Sequence, residues 1–141
     1  MTTPFELQSD VVSKLSDLPE VKVYSGYVPE SVPTIPGTNP PQIKPYLAVW
    51  PGAAQDTPEL PLAHYHQGFR WTFNVTVVAR NAGEVLRVAH FVRLALHGAD
   101  GPGGSTYTQV ENGGRIGVDP DPDLKPSRSY IPLEFVATTT H

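Results

Sequence analysis

The stretch Gly68-Phe69-Arg70-Trp71-Thr72-Phe73-Asn74-Val75-Thr76-Val77-Val78-Ala79-Arg80 runs straight into Asn81-Ala82-Gly83-Glu84-Val85. Two structural periods meet there. Phe69, Trp71, Phe73, Val75 and Val77 alternate with Arg70, Thr72, Asn74, Thr76 and Val78. A period of two held this long predicts a strand with one face buried and the other mostly wet. One-sided burial suits an antiparallel or mixed sheet better than a doubly covered parallel one. Asn81 then offers an N-cap with Glu84 in the box position, and the period becomes helical from Glu84 to His97. Val85, Val88, Ala89, Val92, Ala95 and Leu96 fall on one arc. Gly98 is a natural left-handed stop. A strand feeding a helix that folds back over it predicts a two-layer unit, which the remaining segments must complete.

Working outward, 141 residues allow one domain with a single core, here placed over 1–141. The 16 prolines and 12 glycines cluster outside 68–98 and mark long loops. A net charge of −4 without a Lys/Arg run argues against nucleic-acid binding through a basic patch. The chain has no cysteine, which excludes disulfides, cysteine–zinc sites and a thiol nucleophile, and agrees with a cytosolic origin. No apolar run is long enough to span a bilayer, and the N-terminus has no basic, apolar leader pattern, so neither a membrane nor secretion is expected.

Thr3-Pro4-Phe5-Glu6 predicts a helix start. Phe5, Val11, Val12, Leu15 and Leu18 supply its apolar stripe, and Pro19 ends it. Val21–Tyr27 reads as a short strand with Val21 and Val23 inward. Val28–Lys44, crowded with prolines, reads as a long loop of the kind that carries function or is held by a partner. Pro45–Trp50 is a second strand, ended by Pro51-Gly52. If it pairs with Phe69–Val78, Ala53–His66 is the arm of a long hairpin that projects in part. After Gly98, Ala99–Ser105 reads as a flexible turn and linker, Thr106–Val110 as a short strand, and Glu111–Gly114 as a hairpin turn into Arg115–Val118. Ser129–Thr138 is the closing strand. Its Pro132 cannot donate to a ladder, so an edge position or an unpaired side is expected. The expected fold is α+β: two layers, a mixed or antiparallel sheet of four to five strands, two helices on one face, and a long projecting hairpin or loop.

Few residues here point to chemistry. His64 and His66 share a face if extended, with Asp56 or Glu59 as a carboxylate, yet no third ligand follows at a recognisable spacing. The plainer reading is a polar loop end. His90 and His97 share a helix face two turns apart, too far for one metal, and read as solvated. There is no Gly-x-Ser-x-Gly elbow and no phosphate-binding loop. Asp119, Asp121 and Asp123 have calcium-loop spacing without the downstream glycine and glutamate. Leu86 and Leu94 fall away from the buried arc, among Arg87, His90, Arg93 and His97. Apolar residues ringed by cations resemble a protein interface.

The order helix, strand, long loop, strand, hairpin arm, long strand, helix, closing strand, with Gly68–Arg80 and Ser129-Tyr130-Ile131-Pro132-Leu133-Glu134-Phe135, resembles the tail terminator (tail completion) proteins of long-tailed bacteriophages. The resemblance covers most of the chain and is one of pattern and length. It implies a structural virion protein, not an enzyme, with no cofactor and no bound metal. Such proteins assemble in the host cytoplasm into a hexameric ring at the head-proximal end of the tail tube. The ring stops tube polymerisation and offers a surface to the head. Partners are then further copies of the chain, the tail tube protein and the head completion or connector protein, while genomic DNA passes through without specific binding. On this model Leu86, Arg87, His90, Arg93 and Leu94, with Arg70 and Thr72 on the sheet, touch neighbouring copies. Pro36, Asn39, Gln55, Asp56, Glu59, His64 and His66 reach the tube or connector, and Asp119, Asp121 and Asp123 face the lumen. The alternatives are another connector component (stopper or adaptor), a tube subunit, and, in a different class, a small metal-dependent enzyme or a ligand-binding module.

Overall fold

The computed structural model describes residues 3–19, 21–27, 33–35, 37, 42–56, 69–110, 117–118 and 128–138. They form helix α1 (Pro4–Ser16), strands β1 (Lys22–Ser25), β2 (Tyr46–Asp56) and β3 (Phe69–Ala79), helix α2 (Ala82–Leu96), then β4 (Thr106–Val110), β5 (Gly117–Val118) and β6 (Ser129–Thr138). The sheet order is β1-β2-β3-β6-β4, with β5 also on β6. The β1–β2 pair is parallel and every other pair antiparallel, so the sheet is mixed. Both helices pack on one face, and the expected α+β architecture is the one found.

The alternation in β3 produces that packing. Trp71, Phe73, Val75, Val77 and Ala79 are buried, with Leu47 and Val49 of β2 and Ile131, Leu133, Phe135 and Ala137 of β6. Against them lie Leu7, Val11 and Leu15 of α1 and Val85, Val88, Ala89, Val92 and Leu96 of α2. Both helix starts are capped. Thr3 Oγ1 accepts from Glu6 N at 3.2 Å and Asn81 Oδ1 from Glu84 N at 2.9 Å. The Glu84 carboxylate pairs with Arg80 Nε at 2.6 Å. At the far end, Gly98 takes φ 79° and donates to the Tyr107 carbonyl at 2.8 Å.

Several expectations need correction. Phe5 is 79% exposed, and Leu7 takes its place in the stripe. Leu7, Val11 and Leu15 are spaced by four and share a face, whereas Phe5 lies about 200° from Leu7 around the axis. Pro51-Gly52 does not end β2. One extra residue is absorbed as a bulge between Pro51 (opposite Phe73) and Ala54 (opposite Trp71), and pairing continues to Asp56 opposite Phe69. Beyond Val49 no described strand pairs the other side of β2, so Pro51 leaves no partner without a donor. Trp71 Nε1 donates to the Gly52 carbonyl at 2.7 Å and pins the bulge. A Cβ on Gly52 would meet the Thr72 carbonyl oxygen at 2.5 Å, so the bulge requires glycine.

Ala99–Ser105 is an ordered turn rather than a flexible linker. Pro102–Gly104 makes one 3-10 turn, Asp100 bridges Thr106, and Ser105 is buried. Tyr107 N donates to the Ala99 carbonyl at 3.0 Å, which covers the outer edge of β4. Gly117–Val118, the described part of the expected Arg115–Val118 return, pairs with β6 and not with Thr106–Val110. β4 and β5 lie end to end along one edge of β6: β4 pairs Glu134–Thr138, and β5 pairs Ser129–Tyr130. Pro132 therefore sits in an interior strand. It is opposite Thr76 of β3 on one side and in the gap between β4 and β5 on the other. Among the described residues no strand pairs that second side of Pro132, which agrees with the second of the two expectations.

Candidate functional site: the outward face of α2 and the open face of the sheet

Burying Val85, Val88, Ala89, Val92 and Leu96 against the sheet turns the rest of α2 outward. Leu86 is 56% exposed and Leu94 67%, and Arg87, His90 and Arg93 are exposed beside them. Phe91, 40% exposed, belongs to the same surface and was not singled out from the sequence. The Arg87 guanidinium carbon lies 6.0 Å from its ring centroid, one turn along the helix. The signal was present: Phe91 stands between the buried Ala89 and Val92 positions, outside their arc. Among the described residues, Arg87 and Arg93 have no carboxylate within ion-pair distance. The pairs found there are Lys14–Asp10 and Arg80–Glu84. His97 is not simply solvated, because its Nδ1 accepts from Gln109 N at 3.0 Å and ties the end of α2 to the edge of β4.

Arg70 and Thr72 lie elsewhere. Their parity in β3 puts them on the sheet face opposite the helices, so the structure does not bring them together with the α2 residues. Register places Thr76, Thr106, Thr108 and Thr138 on that same open face. At its β1–β2 end the face is covered by a second, smaller cluster of Ile43, Tyr46 and Val78, with Tyr24 packed on it. Tyr24 meets Tyr46 edge-on at 5.8 Å and Tyr27 at 5.4 Å. Burial, then the neighbouring Tyr27 and Tyr46, push the Tyr24 phenol above its ordinary range. Ile43 is held in this place by pairing between residues 33–35 and 42–44. Thr34 bridges Ile43, Ile35 N donates to the Gln42 carbonyl at 2.8 Å, and Lys44 N donates to the Pro33 carbonyl at 2.9 Å. Arg80 Nη1 holds Gln42 Oε1 at 2.8 Å, and Arg128 Nη1 reaches the Tyr46 hydroxyl at 3.5 Å. The described part of this loop is thus anchored to the sheet.

Of the residues expected to reach a tube or connector, Gln55 and Asp56 have their backbone in β2, opposite Arg70 and Phe69. Pro36, Asn39, Glu59, His64 and His66 lie outside the described residues, as do Asp119, Asp121 and Asp123. Among the described residues no three His, Cys, Asp or Glu side chains gather into a metal-holding group, and no helix is long and apolar enough to cross a membrane. The described surface presents exposed apolar side chains beside arginines without a carboxylate partner on one side, and a threonine-bearing sheet face on the other. Compared with known proteins, the chain matches no family model and no curated protein.

Proposed function

We propose that this chain is a structural virion subunit of the tail-terminator kind. It forms a ring, a hexamer, at the head-proximal end of a phage tail tube, stops tube growth and presents the surface to which the head attaches. One observation supports the reading: an α+β body with two chemically different exposed surfaces on opposite sides. The apolar-cationic face of α2 looks one way, and the open sheet face bearing Arg70 and Thr72 looks the other. A subunit that contacts a copy on each side through two different surfaces makes a heterologous assembly, which closes into a ring when its rotation divides a full turn. The β2–β3 pairing extends beyond the bulge to Asp56 and Phe69, and on this reading that end of the sheet meets the tube or connector. On this reading DNA passes without specific binding, and no cofactor is required.

Gold labelling of a tagged chain on purified particles tests the assignment. The expected result is label confined to the head–tail junction. Label along the whole tail would instead make the chain a tube subunit, and particles without label would remove it from the virion.

A further inference from the structure

The two edges of the sheet are finished differently. Along β4 the outward groups are taken. Tyr107 N donates to the Ala99 carbonyl at 3.0 Å, Gly98 N to the Tyr107 carbonyl at 2.8 Å, and Gln109 N to His97 Nδ1 at 3.0 Å. At the other edge, β1 accompanies β2 only from Tyr46 to Val49. Gly26 then takes φ 77° while its N–H closes on the Val49 carbonyl at 2.8 Å, and the chain turns away. β2 runs on to Asp56, and among the described residues no strand pairs its outer side there. We propose that the outer edge of β2 from Pro51 to Asp56 is a strand-addition site, which takes an extended segment of a different protein. The site stands on this geometry; that its occupant belongs to the tube or connector protein rests on the reading above.

The ladder fixes which groups the site offers. Val49 accepts from Gly26 on the outer side, so Trp50 is the residue that bonds β3, and outward and inward groups alternate from there. Pro51 turns its carbonyl outward and has no N–H. Past the bulge, pairing resumes with Ala54 opposite Trp71, which shares the phase of Phe73 and Val75. Gln55 therefore bonds Arg70, while Ala54 and Asp56 turn both N–H and C=O outward. A strand lying about 4.8 Å away satisfies these groups main chain to main chain. Two features at the head of this lane favour an occupant. Trp50 is exposed on the open face, where an apolar side chain of the added strand covers it. On the helix side, Gln8 Nε2 donates to Ser25 Oγ at 2.9 Å and to the Val49 carbonyl at 3.3 Å. That fixes the amide orientation and leaves Gln8 Oε1 buried without a donor. An added strand brings N–H groups to that place.

A second copy fits this edge poorly. The outward donors of its β4, Tyr107 and Gln109, are already engaged. Its own β2 edge would set one Pro51 and bulge against another, two interruptions in one short ladder. Such a pairing is also isologous and closes a dimer, whereas contacts through α2 and the open sheet face of the next copy build a ring. The edge is thus left for a different chain, and it lies where the sheet projects past β1.

Strand parity supplies the test. Ala54→Pro and Asp56→Pro each remove an outward N–H and put a ring in the lane while sparing the bonds to β3, whereas Gln55→Pro removes a bond to β3. Amide NMR of the isotope-labelled chain is followed during titration with a capped hexapeptide, lysine at each end and valine alternating with threonine between. The expected result is saturable shifts of the Ala54 and Asp56 amides, with binding about tenfold weaker in both outward variants. Melting midpoints should fall most for Gln55→Pro. Headless tails and heads from the phage with this gene disrupted are the second probe. The chain should co-sediment with one of them, about tenfold less in the outward variants. Slow exchange of the Ala54 and Asp56 amides in the free chain would mean that the chain fills its own lane. Shifts that grow with chain concentration alone would mean that a second copy does. Either result overturns the proposal, as do unshifted amides, or binding of peptide or particles indifferent to both outward variants. Parity-sensitive peptide binding by a chain that sediments with neither tails nor heads leaves the site standing and removes the terminator reading alone.

Discussion

Replacing Trp71 by alanine is expected to lower the unfolding free energy by about 3–5 kcal/mol. Against the roughly 5–15 kcal/mol that holds a typical domain, this is the largest loss expected from any single position. Trp71 is fully buried and heads a row of rings that crosses the sheet. It stacks on Phe73 at 4.7 Å, Phe73 stacks on Phe135 of β6 at 5.6 Å, and Tyr107 of β4 meets Phe73 edge-on at 5.9 Å. Its indole also holds the Gly52 carbonyl, so truncation frees the bulge that lets β2 pair beyond Pro51. Trp71→Phe keeps a ring in the row and loses the hydrogen bond, for a smaller loss of about 1–2 kcal/mol. Urea unfolding followed by near-UV circular dichroism separates the two. A Trp71→Ala midpoint equal to that of the parent would mean that the core is not centred on this row.

The second large effect is an alkaline one. Tyr107 is fully buried, and its hydroxyl donates to Asp10 Oδ2 at 2.6 Å, while Lys14 Nζ lies 3.2 Å from the same carboxylate. Burial first, then the hydrogen bond to Asp10 and its negative charge, hold this phenol far above its ordinary value of 10.0. In the unfolded chain it ionises near that ordinary value. The contribution to stability is therefore complete below about pH 10 and is lost as pH rises from there toward the raised folded value, at about 1.4 kcal/mol per pH unit. Tyr107→Phe should be less stable by about 1–2 kcal/mol at neutral pH. Between about pH 10 and 11.5 the parent should lose about 2 kcal/mol more than the variant. Tyr24, also raised, is common to both chains and cancels. Unfolding free energies measured across that range would show parallel curves if the Tyr107–Asp10 link did not join α1 to β4. Gly101 belongs to this link, since a Cβ there would lie 2.7 Å from the Tyr107 hydroxyl oxygen.

The strand and helix of 69–96 were legible because each is governed by its own period and a local cap, and both signals survive folding unchanged. The same holds for the inward residues of β6 and for Thr3 at the start of α1. What was not legible depended on long-range pairing. Pro51-Gly52 looks like a terminator until Trp71 supplies a donor to Gly52 across the sheet. Arg115–Val118 looks like the return of a hairpin because the turn residues before it say nothing about β6, which takes up both β4 and β5. Ile43 shows no period with its neighbours, yet it is buried, because the surface that buries it comes from Tyr46 and Val78. Phe5 is hydrophobic enough to suggest the stripe, and helix phase excludes it.

The surfaces divide in the same way. Leu86 and Leu94 stand out from the α2 arc in the sequence, and the fold leaves them exposed as their phase requires. Phe91 was hidden by its position beside buried neighbours. The pleat of β3 sends Arg70 and Thr72 to the side of the sheet away from α2.

The central claim is that this chain limits tail length, and tail length is the quantity to measure. Electron micrographs of lysates from the phage with this gene disrupted, with and without the chain supplied in trans, read it directly. The account predicts overlong, headless tails in the disrupted lysate and a single restored length on complementation. Tails of normal length beside unjoined heads, or intact infectious particles, would contradict it.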